Sequence, residues 1–241
     1  MFPIGDDNSD RTIQPLVNYG IIAINVLVFL LLQQLGTNEA FTYAFSLVPK
    51  EITTGVDLTH ASIIRDALGH TAEIPQYPSP LPVYFNFLSS MFMHGGIAHI
   101  FGNMLFLYIF GDNIEDLVGH LRYAVFYLLC GFAAAAGQVF MSPDSVIPML
   151  GASGAISGVL GGYMLMFPTR RVQVIIFYSV LTVPAFVAIG IWIIYQVVLG
   201  FLTPSAGGGV AYTAHIGGFA AGLALIKIFA IGRKQRSFTS Q

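Results

Sequence analysis

Six stretches of about 20 mostly apolar residues, the length a helix needs to cross a bilayer, run through this chain. They cover roughly Leu16 to Leu35, Phe87 to Phe110, Leu121 to Met141, Leu150 to Phe167, Gln173 to Leu202 and Ala211 to Ile231. The pattern predicts an all-α integral membrane protein, a bundle of six transmembrane helices. Gly95-Gly96 is expected to delay the start of the second span, and Pro184 to kink the fifth or mark where its helix begins. Between the first two spans lies a long segment, residues 36–85, with Glu39, Glu51, Asp57, Asp66 and Glu73 and with Pro75, Pro78, Pro80 and Pro82. It is too long for a simple connection. Phe41 to Val48 and Leu58 to Leu68 mix apolar and polar residues, which suggests short helices lying along the outer leaflet; a disordered external loop is the alternative. With no internal repeat, residues 1–241 read as a single transmembrane domain, its core about 17–232, with short polar termini.

Composition agrees with this. The chain is 55% hydrophobic and only 9% charged, too apolar for an ordinary soluble domain. A net charge of -2 argues against nucleic acid as a partner, since a phosphate-binding surface needs clustered Lys and Arg. Cys130 is the sole cysteine and allows no intramolecular disulfide. With an even number of spans both termini share a side, and Arg11, Arg122, Arg170, Arg171, Lys227, Arg233, Lys234 and Arg236 fall there, leaving Lys50 and Arg65 opposite. Both termini are therefore expected in the cytoplasm, and the long first loop outside. The first apolar run is not followed by a cleavage pattern and reads as an anchor. A multi-pass protein of a bacterial plasma membrane is the expected setting.

Polar side chains inside spans are costly and mark function. Those that suggest chemistry are His94, His99 and Asn103 in the second span, Ser153 and Ser157 in the fourth, and Thr213 and His215 in the sixth. These spans all run from the outside inwards. At about 1.5 Å per residue, His99, Ser153 and His215 lie about 22, 21 and 24 Å before the inner ends of their spans. All three then sit about a third of the way into a core of roughly 30 Å, within reach of water from the outer face. Gly154, Gly158 and Gly162 leave one face of the fourth span bare. Ala211, Ala214, Gly218, Ala221 and Gly222 do the same around His215. Such faces let helices approach closely, which would bring the Ser153 hydroxyl to a base at His215. The amides of Leu150 to Ser153, at a helix start after Pro148, and the side chains of His99 and Asn103 are candidate donors to an oxyanion. No Asp or Glu lies at that depth, so the unit would be a dyad.

Gly151-Ala-Ser-Gly-Ala155 resembles the Gly-x-Ser-Gly nucleophile motif of the rhomboid family of intramembrane serine proteases. Ala214-His-Ile-Gly-Gly218 resembles the family's final-helix histidine motif, and His94, His99 and Asn103 its second-helix motif. The resemblance implies an endopeptidase that cleaves transmembrane segments of single-span or other membrane proteins near the outer face, in contact with the lipid bilayer. Ser153 would be the nucleophile and His215 the base, with His99, Asn103 and the Ser153 amide holding the oxyanion, and His94 and Gly151 in support. It also implies a membrane-embedded first loop and a mobile fifth helix, roles that fall to residues 36–85 and 173–202. Two departures stand out. The first loop lacks a Trp-Arg pair found in many members, Trp192 being the only tryptophan, and Ser157 occupies the place of a tyrosine that packs on the histidine in some members. Another group must therefore orient His215.

A metalloprotease would need His-Glu-x-x-His, which is absent, and no metal or other cofactor is expected. An aspartyl mechanism would need two mid-depth aspartates, whereas Asp112, Glu115 and Asp116 gather at the inner end of span two, where a solvated turn with Arg122 is the expected setting. The serious alternative is a rhomboid-like protein without activity that binds membrane clients. A transporter ranks last, because no buried charge or pair of broken helices marks an ion path.

Overall fold

A computed structural model describes residues 2–65, 69–202 and 211–233. The N-terminus forms a strand, β1 (Phe2–Asp6), followed by α1 (Leu16–Leu27), which runs on through a wider turn at Val28–Leu32. The connecting segment holds α2 (Glu39–Ala44), α3 (Pro49–Thr54), a hairpin of β2 (Ser62–Arg65) and β3 (Thr71–Ile74), and the single turn α4 (Asn86–Ser89). Then come α5 (Ile97–Val118), α6 (His120–Met141), α7 (Ser153–Met166), a second hairpin of β4 (Arg171–Ile176) and β5 (Ser179–Pro184), α8 (Ala185–Leu202) and α9 (Tyr212–Phe229). Four of these helices, α5, α6, α8 and α9, are long and apolar enough to cross a membrane, while the Leu16–Leu32 stretch and α7 are shorter. At 14 residues, α7 is about 21 Å long, less than the roughly 30 Å of a hydrocarbon core.

The molecule is mostly helical but not all-α. The expected span from Gln173 to Leu202 is in fact a hairpin followed by a helix that begins just after Pro184. Arg171-Val-Gln-Val-Ile-Ile alternates in side-chain burial, with Val172 and Val174 wholly enclosed, and its β-branched residues suit a pleated surface. β4 pairs with β5 on one side and with β1 on the other, Asp6 opposite Val172, so the N-terminus is the outer strand of a three-stranded sheet. The second span begins ten residues later than its apolar window, after Gly96. Leu58 to Leu68 is not a helix: Ser62–Arg65 is a strand, and residues 66–68 lie outside the described residues, as do Lys234 and Arg236.

α7 packs against α5, α6, α8 and α9. Its glycines set the spacing. A Cβ at Gly222 would lie 1.9 Å from the Gly158 carbonyl oxygen, and one at Gly218 would lie 2.1 Å from that of Gly154. Only hydrogen at both positions lets the α7 and α9 backbones meet. The segment ahead of α7 is held from the other side by the connecting segment. Leu47 and Met149 exchange backbone hydrogen bonds of 2.9 and 2.7 Å, the Lys50 amide donates to the Ser145 carbonyl, and the Gln76 side-chain amide donates to the Val146 carbonyl. These bonds anchor the long first loop without a Trp-Arg pair.

Candidate active site

Ser153 is the first residue of α7, and His215 lies in the first turn of α9. The glycine contacts that draw these helices together leave His215 Nε2 2.8 Å from Ser153 Oγ. His215 is buried, whereas Ser153 is half-buried. Its other ring nitrogen, Nδ1, lies 2.8 Å from Oε1 of Gln196 on α8. A side-chain carbonyl only accepts, so this pairing suits the tautomer with the hydrogen on Nδ1 and the Nε2 lone pair towards the serine hydroxyl. The Trp192 ring, one turn before Gln196, lies over the imidazole at a centroid distance of 5.9 Å and a tilt of 35°. Ser157 takes no part in this: its hydroxyl donates to the Ser153 carbonyl at 2.6 Å, a bond within α7.

His99 and Asn103 stand one turn apart on α5, as the spacing predicts. His99 Nδ1 accepts from the Gly95 amide at 3.3 Å, which leaves Nε2 as the N–H of a neutral ring. That edge faces Gly151, where a Cβ would come within 2.9 Å of both Nε2 and Cε1. Gly151 has φ +126, a conformation that L side chains rarely adopt, so glycine is required there both for the backbone and for the approach of the ring. Asn103 is buried and its Nδ2 has no hydrogen-bond partner among the described residues. An unpartnered buried amide is expensive.

One expectation changes. The first-turn amides do not run from Leu150 to Ser153: the helix starts only at Ser153, and the Gly151 amide is already engaged with the Ser90 carbonyl at 2.8 Å. The Ser153 amide retains the position of a first-turn donor. The His94 ring is buried and meets His99 edge-on at 5.2 Å. Its peptide is gripped by Gln33, whose side chain accepts from His94 N–H and donates to the His94 carbonyl, both at 2.9 Å. No group of three or more His, Cys, Asp or Glu able to hold a metal occurs among the described residues.

Gln196 was not singled out by its sequence position. The signal was available, for it is the only amide side chain in Ala185–Leu202 and one of four buried residues there.

Comparison with known proteins agrees with these motifs. A family model described as the rhomboid domain matches residues 82–231, more than half of the chain. RHOMBOID-like protein 4 of Arabidopsis thaliana is 32% identical over 139 residues, covering 57% of this chain and 32% of that one. Rhomboid protease GluP of Bacillus subtilis is 33% identical over 88 residues, 36% of this chain and 17% of its own. Inactive rhomboid protein 1 of Drosophila melanogaster is 33% identical over 76 residues, 32% of this chain and 5% of its own. The chain spans less than half the length of each of these relatives.

Proposed function

This chain belongs to the rhomboid family, and we propose that it is an intramembrane serine endopeptidase acting on the transmembrane segments of other membrane proteins. The observation that carries the reading is the 2.8 Å contact between His215 Nε2 and Ser153 Oγ, with Nδ1 bonded on the far side of the ring. Ser153 Oγ attacks the scissile carbonyl carbon while its proton passes to His215 Nε2. The oxygen that gains charge is met by Asn103 Nδ2, His99 Nε2–H and the Ser153 amide. The C–N bond then breaks, the imidazolium returns its proton to the leaving amine, and a water deprotonated by His215 releases the acyl group and restores the serine. His99 is exposed, which gives water a way to the site.

The same proposal has residues 17–232 form one domain whose helices α1 and α5 to α9 all cross the bilayer, with both termini on one side. The short α7 is enclosed by its neighbours, so the loop ahead of Ser153 meets protein instead of lipid. A second reading, a client-binding protein without activity, is raised by the inactive Drosophila relative. One experiment separates the two. Purified protein in detergent should cleave a single-span test substrate and take a fluorophosphonate label on Ser153, and Ser153→Ala should lose both. Cleavage by the alanine variant at the parental rate would remove the dyad, and a folded parent that neither cleaves nor labels would favour client binding.

A further inference from the structure

A serine–histidine pair works only in one tautomer. With its proton on Nε2 the imidazole donates to the serine hydroxyl and has no lone pair to receive the serine's proton; with the proton on Nδ1 it is a base. The two neutral forms lie close in energy, so something must choose between them. Neither α7 nor α9 supplies that group, since Ser157 is tied to the Ser153 carbonyl. The polar atom set against Nδ1 is Gln196 Oε1 on α8, at 2.8 Å.

The surroundings of Gln196 fit that task. It is 7% exposed in a helix that otherwise buries only Ala185, Ala188 and Ile189. α8 faces outward along Ile191, Ile194, Tyr195, Val198 and Phe201, and within such an apolar helix a buried amide is costly unless its bonds are used. One turn earlier Trp192 covers the His215 ring, and Phe106 on α5 stands against that indole at 6.4 Å. The ring is thus held at one nitrogen and across one face by residues i and i+4 of a single helix.

We propose that Gln196 is a positioning residue for the reaction, its side-chain carbonyl holding His215 in the Nδ1–H tautomer while Trp192 fixes the plane of the ring. The base is then set by α8, a helix that carries neither member of the dyad. The kinetic part of this inference rests on the proteolytic reading above; the structural part does not.

The test uses the full chain in detergent, labelled with ¹⁵N-histidine, with the His215 signals assigned by their loss in His215→Ala. The parent is expected to show the Nδ1–H form of His215. Gln196→Met, similar in shape but without the amide, should show a population of the Nε2–H form. In cleavage assays Q196M should lower kcat about tenfold, the rate equivalent of one neutral hydrogen bond, with KM unchanged. Should Q196M fail to fold, Gln196→Glu, which keeps an acceptor in place, should keep Nδ1 protonated. The proposal is overturned by a parent in the Nε2–H form, by Q196M that keeps the parental tautomer or kcat, or by Q196E with Nδ1 unprotonated. A parent that shows the Nδ1–H form yet cleaves nothing would remove the proteolytic reading and leave the assignment of Gln196 standing.

Discussion

The two polar ends of the bundle are built on opposite rules. Around the N-terminus almost every buried polar group is matched. Glu115, fully buried on α5, accepts from the amides of Val17 and Asn18 and so caps the start of α1, while Asp116 accepts from Thr12 and Ile13. Arg11 pairs with the buried Asp112 at 2.7 Å, Arg170 with Asp10 at 2.7 Å, and Asp6 takes hydrogen bonds from Tyr163 and Asn113. Arg122, which the sequence suggested as the partner of these carboxylates, instead closes the end of α9 by donating to the Phe229 and Ile231 carbonyls. At the other end, one turn along α5 from His99, Asn103 Nδ2 is buried without a partner among the described residues. Full satisfaction serves stability. An unmet buried donor lowers stability, and in the proposed proteolysis the oxyanion would meet it.

The comparison can be broken by substitution at either end, and the largest effect is expected at the incomplete one. Asn103→Ala should lower turnover by about 10²–10³, the worth of one oxyanion donor, while the melting temperature holds, since no intramolecular bond is lost. A destabilised protein with unchanged turnover would place Asn103 in packing. Arg11→Ala should do the reverse. It leaves the Asp112 carboxylate buried and unpaired, for a loss of about 1–3 kcal/mol in stability, with fluorophosphonate labelling of Ser153 per folded molecule unchanged; chemical denaturation alongside labelling would show both.

The smallest effect is a pH dependence. Burial pushes the Asp6 carboxyl up to about 7, against hydrogen bonding from Tyr163 and the nearby Arg170, which lower it, and Asp112 and Asp7, which raise it. A raised folded value means that protonation favours the docked strand. The stabilisation is complete below the ordinary carboxylate value of 3.8 and is lost as pH rises towards about 7. Exchange of the Val172 to Val174 amides should therefore quicken from pH 4 to 7 beyond the intrinsic rate, and Asp6→Asn should flatten that slope. An unchanged slope would assign the pH response to another group.

Much of this was legible before any coordinates, and the misses have physical causes. Apolar windows and bare helix faces are local patterns, repeated every few residues, and they placed Ser153, His215, His99 and Asn103. The start of α8 was marked by Pro184, but the strands before it were hidden because apolar strands and apolar spans share composition, and β4 finds its partner β1 almost the whole chain away. The N-terminal segment read only as a short polar terminus because nothing near its acids in sequence matches them.

By itself the sequence determined that this is a membrane protein with a hydroxyl, two imidazoles and an amide in its apolar stretches, and that the fourth and sixth of these have faces bare enough to meet. Those properties depend on side-chain size and on spacing along one helix. Only the tertiary structure decided what faces each ring, with the Gly95 amide set against Nδ1 of His99 and Gln196 Oε1 against Nδ1 of His215. The sequence left that choice open because a neutral imidazole takes its tautomer from whatever faces it, and what faces His215 is carried by another helix.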